Sequence, residues 1–303
     1  MVLESLSEST WKQYQVHLKQ WWIFCSQNSK EPSLPTVQNV LHFLNFLKDS
    51  GKSYSTINSS RSAVSILDPY KKIGEDPLVV RFMKGIFRTR PPKAKYNSTW
   101  DPSCVLGYLH SLGLPESLSL ESLTYKTVGL LAICTAHRAQ TFSKIMRQDI
   151  RIYNDYIEIF ISALIKTSRP NSDQPTLVLP FYTDKSTCAA TAILEYAKRT
   201  KAQSDSVVGT GPLFLSLNKL ATPVSAQTIS RWIKQVLRNS GVDVNQFTAH
   251  SVRHASTSLA LKKGVSIDII RDRAGWSQRS AVFARFYNRP IDERFTFVDS
   301  IIN

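Results

Sequence analysis

The chain has 303 residues with a formal net charge of +15 at pH 7, and 42% of its residues are hydrophobic. This length suffices for two domains with separate cores, and the ordinary apolar content argues against a disordered chain. The excess positive charge favours a polyanionic partner such as nucleic acid, whereas no apolar run reaches the roughly eighteen residues of a membrane helix. With no signal-peptide pattern and four scattered cysteines that form no metal-ligand spacing, we expect a soluble intracellular protein.

Residues 1–88 predict a bundle of four helices. Large apolar residues recur at helical spacing in the first helix, with Ser9 or Thr10 as its N-cap. The second helix covers about 37–50 and stops at Gly51. The third covers about 55–67 and the fourth begins near Pro77.

Residues 89–100 predict an extended basic linker, because the stretch RTRPPKAKYNSTWDPS is rich in proline and positive charge. Its candidate DNA contacts are Arg88, Arg90, Lys93 and Lys95. These side chains either track a phosphate backbone or belong to a solvated tether. Nuclear targeting is a third reading.

Residues 101–303 predict a second, α+β domain, which makes the whole chain mainly α with a small antiparallel β-sheet. An apolar helix in LTYKTVGLLAICTA is followed by a shorter one, and YIEIFISALI and TLVLPFY alternate like strands. Further helices are predicted near 185–200, 225–241 (Ser225 as N-cap, Gly241 as stop), 248–264, 266–275 and 279–290.

The stretch TAHSVRHAS places two histidines and an arginine close together. On a helix, His250, Arg253, His254 and Thr257 share one face. Arginine matches the geometry of phosphate, and histidine moves protons near neutral pH. By itself this stretch suits either an anion site or a capped surface helix. His254 is interpreted as helix support or as a contact to a backbone phosphate.

Read together, several local motifs resemble the tyrosine recombinases, also called phage-type integrases. They are ICTAHRAQTFSKI, LIKTSRP, TAHSVRHAS and RAGWSQRSAVFARFYNRP. The residues that carry the resemblance, in chain order, are Arg138, Lys166, His250, Arg253, Trp276 and Tyr287. The N-terminal bundle looks like the helical core-binding domain with which that family clamps DNA. The pattern is most similar to recombinases of eukaryotic Crypton- and DIRS-type mobile elements.

Two positions and one spacing depart from the family's usual pattern. Thr141 stands where many members have an acidic residue, and Trp276 stands where histidine is more common. The spacing from Trp276 to Tyr287 is slightly longer than in most bacterial members. The spacing leaves open whether the tyrosine acts in its own subunit or in a neighbouring one.

The resemblance implies a nucleophilic tyrosine. Tyr287 would attack a DNA phosphodiester and form a 3′-phosphotyrosine, with His250 accepting the phenol proton. Lys166 would protonate the leaving 5′-oxygen.

The resemblance also implies a phosphate clamp. Arg138 and Arg253 would bind the non-bridging oxygens, and Trp276 would donate its indole N–H to the same phosphate. No P-loop pattern and no cluster of carboxylates is present, so neither ATP, a metal nor another cofactor is expected.

The expected partner is double-stranded DNA, bound by a dimer to tetramer of this chain. The tail spaces Phe295, Val298 and Ile301 or Ile302 like one helix face, which would dock on a neighbour or on its own domain. The expected function is integration or excision of a mobile element, in the nucleus if the element is eukaryotic and otherwise in the cytoplasm. Alternatives are a catalytically inactive domesticated DNA-binding protein and a type IB topoisomerase-like enzyme; RNA binding is disfavoured.

Overall fold

The computed structural model describes residues 6–68, 70, 72–92, 95–168, 170, 173–201, 209–218, 222–276, 288–289 and 291. The chain divides into two compact units, Met1–Lys95 and Tyr96–Asn303, and the division falls inside the predicted basic linker. The fold class is confirmed: the protein is mostly helical, with a small three-stranded antiparallel sheet. No helix in the described part is long and apolar enough to span a membrane.

The described part of the first unit contains four α-helices, as the apolar spacing predicts. They are α1 (Glu8–Gln27), α2 (Val37–Asp49), α3 (Tyr54–Ser65) and α4 (Pro77–Thr89). The predicted N-cap of α1 was wrong: Ser7 caps this helix, and its hydroxyl accepts from Thr10 N at 3.2 Å. Ser7 is the N-cap because its extended backbone lets its hydroxyl accept a hydrogen bond from the third helical N–H.

The core of this unit forms where the apolar faces of the four helices meet. Trp21 of α1 and Phe43 of α2 are fully buried, with ring centroids 5.3 Å apart in an edge-to-face arrangement. A buried polar pair also joins α1 to α3, because His17 Nδ1 and Ser60 Oγ share a hydrogen bond of 2.9 Å. Each of these polar atoms is thereby partnered away from water.

The second unit combines a small sheet with helices, of which α8 packs against β3. Its elements are α5 (Pro102–Ser111), α6 (Leu120–Thr135), α7 (Ala139–Phe142), β1 (Ile150–Ile152), β2 (Tyr156–Phe160), β3 (Thr176–Pro180), α8 (Ala189–Thr200), α9 (Ala226–Asn239), α10 (Ser251–Lys262) and α11 (Ile267–Arg273). The predicted cap at Ser225 is present, and its hydroxyl accepts from Thr228 N. Helix α5 and strand β1 were not predicted.

The sheet has the order β1-β2-β3, with β2 antiparallel to both neighbours. Ile157 pairs with Ile152 on one side and Leu179 on the other. Ile157 and Ile159 are buried while the alternate positions are not, so one face of the sheet joins the core.

Helix α6 lies at the centre of the unit and packs against α8, α9 and α10. Because it is apolar on nearly all sides, it has little surface left for water. Its one buried cation, Lys126, uses its ammonium group on the backbone carbonyls of Leu109 and Gly113, at the end of α5. Burial lowers the pKa of this lysine.

Arg147 lies just before β1 in the chain, and its buried side chain connects this segment to α8. Its guanidinium donates to the carbonyls of Ala197 (2.8 Å), Pro212 (3.0 Å) and Leu213 (3.1 Å), and to Thr200 Oγ1 (2.5 Å). The rigid fork of arginine offers five donors, which suits several fixed carbonyls at once. Arg147 is therefore a structural residue of this unit.

The end of the predicted linker belongs to the second unit. Tyr96 and Trp100 are buried in its core, and Thr99 forms a parallel β-bridge with Ile291. The helix predicted at 279–290 and the C-terminal tail lie almost entirely outside the described residues, and so does Lys93.

Candidate active site

The corner between α6 and α7 places Arg138. Helix α6 ends because Ala136 adopts the left-handed conformation (φ 51°), which turns the chain sharply. His137 and Arg138 follow at the corner, and Arg138 occupies the N-cap position of α7. An alanine in this backbone region is unusual and costs about 1 kcal/mol or more.

Helix α10 places the two other residues of the site. His250 is exposed at the N-cap position, and Arg253 follows one turn later with only 1% of its surface exposed. The Arg253 guanidinium donates to the carbonyl oxygens of Ala136 and, at 3.1 Å, of Ala274. Ala136 and Ala274 are the C-caps of α6 and α11, so the cation lies at the negative ends of two helices.

A small cavity of about 60 Å³ brings these elements together. Arg138, His250 and Arg253 all line it, although more than a hundred residues separate the first from the other two. His137 and Ser230 line it as well, and none of the described residues in its wall is acidic. Two arginines that line one concavity favour a bound oxyanion, because a guanidinium matches the geometry of a phosphate.

Trp276 completes the surroundings of Arg253. The centre of the Arg253 guanidinium lies 4.6 Å from the centroid of the indole ring, which is a cation–π distance. The ring is also buried against Ala136, Ile270 and Ala274. The indole therefore packs in a small apolar cluster and also contacts the guanidinium of Arg253, a residue that lines the cavity.

The fold brings Lys166 close to the Arg138 corner, but Lys166 does not line the cavity. It is exposed within the β2–β3 connection, and its backbone N–H donates to Gln140 Oε1 at 3.2 Å. Gln140 belongs to α7, two residues after Arg138, so this bond ties the connection to the Arg138 corner. Tyr287 lies outside the described residues.

The predicted DNA contacts have different environments. Arg88 and Lys95 are exposed, and Arg88 lies in the last turn of α4. The guanidinium of Arg90 donates to the carbonyls of Lys48 (2.7 Å) and Lys52 (3.4 Å), beside the end of α2. Arg90 thus has a bonding role within the first unit.

His254 is buried rather than presented to solvent. Its ring lies edge-to-face against that of Tyr96, with centroids 5.2 Å apart, and is 8% exposed. This environment favours the predicted role in supporting the helix over a phosphate contact at the surface.

His137 was not predicted as a site residue, yet it lines the cavity. Burial, and then the nearby Arg253, lower its pKa from 6.5 to about 3, so the ring is neutral at physiological pH. It packs against Gly275 so closely that an added Cβ there would lie 3.0 Å from His137 Cε1. A histidine at the end of an apolar helix, directly before an arginine, was the available signal.

The described residues contain no group of three or more histidines, cysteines or acids arranged to hold a metal ion. What the cavity offers is positive charge fixed by packing. Such preorganised donors stabilise charge that develops on an oxyanion without rearranging during a reaction.

Comparison with solved structures identifies the fold. The structure is similar to XerH site-specific recombinase bound to a palindromic difH substrate, with a TM-score of 0.64 and 14% identity over 96% of this chain and 79% of that one. It is also similar to a lambda integrase dimer bound to a COC′ core site (TM-score 0.53, 17% identity, 95% and 73% coverage). A third is the Tn1549 transposon integrase in complex with transposon right end DNA (TM-score 0.55, 15% identity, 88% and 86% coverage).

A comparison with curated protein sequences finds no match. The model of the phage integrase family, however, matches residues 114–294, which is more than half of the chain and contains all six residues on which the sequence resemblance rests. The chain belongs to the phage integrase family, the tyrosine recombinases.

Proposed function

We propose that this protein is a site-specific DNA recombinase that cleaves and rejoins strands through a 3′-phosphotyrosine. The observation that carries the proposal is the cavity shared by Arg138, His250 and Arg253, with the Trp276 ring on the Arg253 guanidinium. In a phage integrase chain, a concavity lined by two arginines fits the phosphate of a DNA backbone.

In the first step, the two arginines hold the scissile phosphate. Each guanidinium binds a non-bridging oxygen, and Arg253 keeps its position because two helix ends and an indole fix it. Charge grows on these oxygens in the transition state, so each arginine contributes more there than in the ground state. Loss of one such donor typically costs on the order of a hundredfold or more in rate.

The proton transfers then follow from the remaining residues. The Tyr287 oxygen forms a bond to phosphorus, the bond from phosphorus to the 5′-oxygen breaks, and His250 takes the phenol proton. Lys166 gives a proton to the departing 5′-oxygen. The phosphotyrosine keeps the energy of the broken ester, so a second 5′-hydroxyl reseals the strand by the reverse steps without ATP or a metal ion.

The natural reaction that we propose is integration or excision of a mobile element, of the eukaryotic Crypton or DIRS kind and hence in the nucleus. The formal charge of +15 supports a DNA partner. The lambda integrase structure is a dimer on a core site, which supports a multimer of this chain on DNA. The Tn1549 structure holds transposon right end DNA, which supports a DNA partner.

The experiment starts by enriching bound duplexes from a randomised pool, because the target site must first be found. Enriched duplexes carrying a nick near each possible cleavage position are then incubated with the protein and run on denaturing gels. We expect a covalent protein–DNA adduct from the parent chain and none from Tyr287→Phe. The matched control is Tyr182→Phe, which alters an exposed tyrosine of the same unit.

The same assay separates the alternatives. Duplexes that are bound but give no adduct with any nick position would indicate a DNA-binding protein without catalysis. Adduct formation on unselected supercoiled plasmid, with relaxation and no dependence on the enriched site, would indicate a topoisomerase-like enzyme. An adduct that persists in Tyr287→Phe would refute Tyr287 as the nucleophile.

A further inference from the structure

Three aromatic rings form a continuous stack that ends at His250. The rings of Tyr96 and His254 lie 5.2 Å apart at 79°, and those of His254 and His250 lie 5.8 Å apart at 81°. Both contacts are edge-to-face, within the centroid range that aromatic pairs favour. The buried ring of His254 therefore supports the exposed ring of His250 from behind.

The Tyr96 end of the stack, which is buried, is fixed to the chain by hydrogen bonds. The Tyr96 hydroxyl shares a bond of 2.8 Å with Thr248 Oγ1 and accepts from Thr248 N at 3.3 Å. A second bond runs nearby, from Trp100 Nε1 to Ser251 Oγ at 2.9 Å. The end of the predicted linker thus bonds to the chain on both sides of His250 in sequence, at Thr248 and at Ser251.

We propose that Tyr96 and His254 are positioning residues that hold the His250 ring in its working orientation. The proposal rests on the proposed function of His250 and adds residues that neither contact the phosphate nor transfer a proton. An exposed histidine at a helix start has many rotamers, and a neighbouring ring that is itself locked restricts them. Misplacement of a proton acceptor by about 1 Å costs on the order of a hundredfold in rate.

The test depends on ring shape and not on the chemistry of an imidazole. Tyr96→Leu and His254→Leu remove a ring from the stack, whereas His254→Phe keeps a ring and loses both nitrogens. Tyr96→Phe keeps the ring and loses its two bonds to Thr248. Tyr196→Phe is the matched control, because it removes a buried hydroxyl that accepts from Leu215 N elsewhere in the unit.

Two measurements are made on each variant. The first compares the affinity for an enriched duplex with the single-turnover rate of adduct formation on its nicked form. The second, without DNA, records the imidazole NMR signals of His250, assigned by their loss in His250→Gln. Thermal unfolding verifies that each variant is folded at the assay temperature.

We expect both leucine variants to lose about tenfold or more in adduct rate at nearly unchanged duplex affinity, and to shift the His250 signals. His254→Phe should recover most of the rate, and Tyr96→Phe should show a smaller loss than Tyr96→Leu.

Equal loss in His254→Phe and His254→Leu would overturn the proposal, because the imidazole itself would then be needed. Parallel loss of affinity and rate would also overturn it. If the parent protein forms no adduct on any duplex, the proposed function fails, and the NMR comparison alone decides: unchanged His250 signals in both leucine variants refute the stack.

Discussion

Replacing Gly275 with alanine perturbs the contact between His137 and Gly275, which lies directly before Trp276 in the chain. Gly275 has a φ of +67°, and an added Cβ would lie 3.0 Å from Cε1 of His137, which is a tighter contact than real methyl groups usually make. His137 is buried and also lines the cavity, so a ring displaced by the methyl group moves at the expense of that cavity. We expect losses of both stability and activity.

The magnitude follows from two separate costs. A left-handed backbone costs alanine about 1–2 kcal/mol, less about 0.4–1 kcal/mol because alanine also restricts the unfolded chain. Overpacking a buried ring adds about 1–3 kcal/mol. The central values of these ranges sum to about 3 kcal/mol, which corresponds to a fall in Tm of about 6–12 °C for a unit of this size.

Gly241→Ala separates the two costs. Gly241 has a φ of +83°, and no atom lies within 4 Å of the position of an added Cβ, so this variant carries the backbone cost alone. Thermal and urea unfolding of both variants should give a difference of about 1–3 kcal/mol, which measures the contact with His137. Gly275→Ala should also slow adduct formation, and Gly241→Ala should not.

Equal stability of the two alanine variants would refute the packing of His137 against Gly275. A double variant provides a second check, because His137→Ala removes the obstructing ring. In that background, Gly275→Ala should cost about as much as Gly241→Ala does in the parent chain.

Three further substitutions test buried groups by urea unfolding. The pKa of His137 is lowered from 6.5 to about 3, so below about pH 6.5 the unfolded chain binds a proton that the folded chain does not bind. Between pH 7 and pH 5, the free energy of unfolding of His137→Gln should therefore fall by about 2 kcal/mol less than that of the parent. An identical pH dependence of the two proteins would contradict this. Arg147→Lys should destabilise by about 2–4 kcal/mol, because an ammonium cannot serve all the acceptors of the guanidinium; a change below about 1 kcal/mol would show that they are redundant. Lys126→Met should cost about 1–2 kcal/mol, since two carbonyls at the end of α5 lose their donor while the burial penalty of the ammonium is relieved, and a stabilised variant would show that the penalty dominates.

Most helices could be predicted because their signals are local. Apolar spacing, the cap at Ser225 and the left-handed glycines at positions 51, 241 and 264 act within one or two turns. Two elements were missed for the same reason. Strand β1 has three residues, which are too few to show an alternating pattern. Helix α5 begins at Pro102 with Asp101 as its N-cap, and these two residues resemble the end of the linker in sequence.

The candidate site was predictable only in part. Arg138, His250 and Arg253 stand in motifs that the chain displays in order, and the cavity that they share agrees with that interpretation. The surroundings of Tyr96 could not be predicted, because nothing near this residue in the sequence indicates that its ring packs on His254.

The sequence by itself determined the helical bundle, the α+β second unit, the positive charge and the residue types of an integrase, because each depends on composition or on neighbours along the chain. The tertiary structure decided the burial of Arg253 between the ends of α6 and α11, the neutral His137 beside Gly275 and the ring stack behind His250. The physical reason is that a pKa, a cation–π contact and a packed ring are set by atoms that meet only after distant segments fold together.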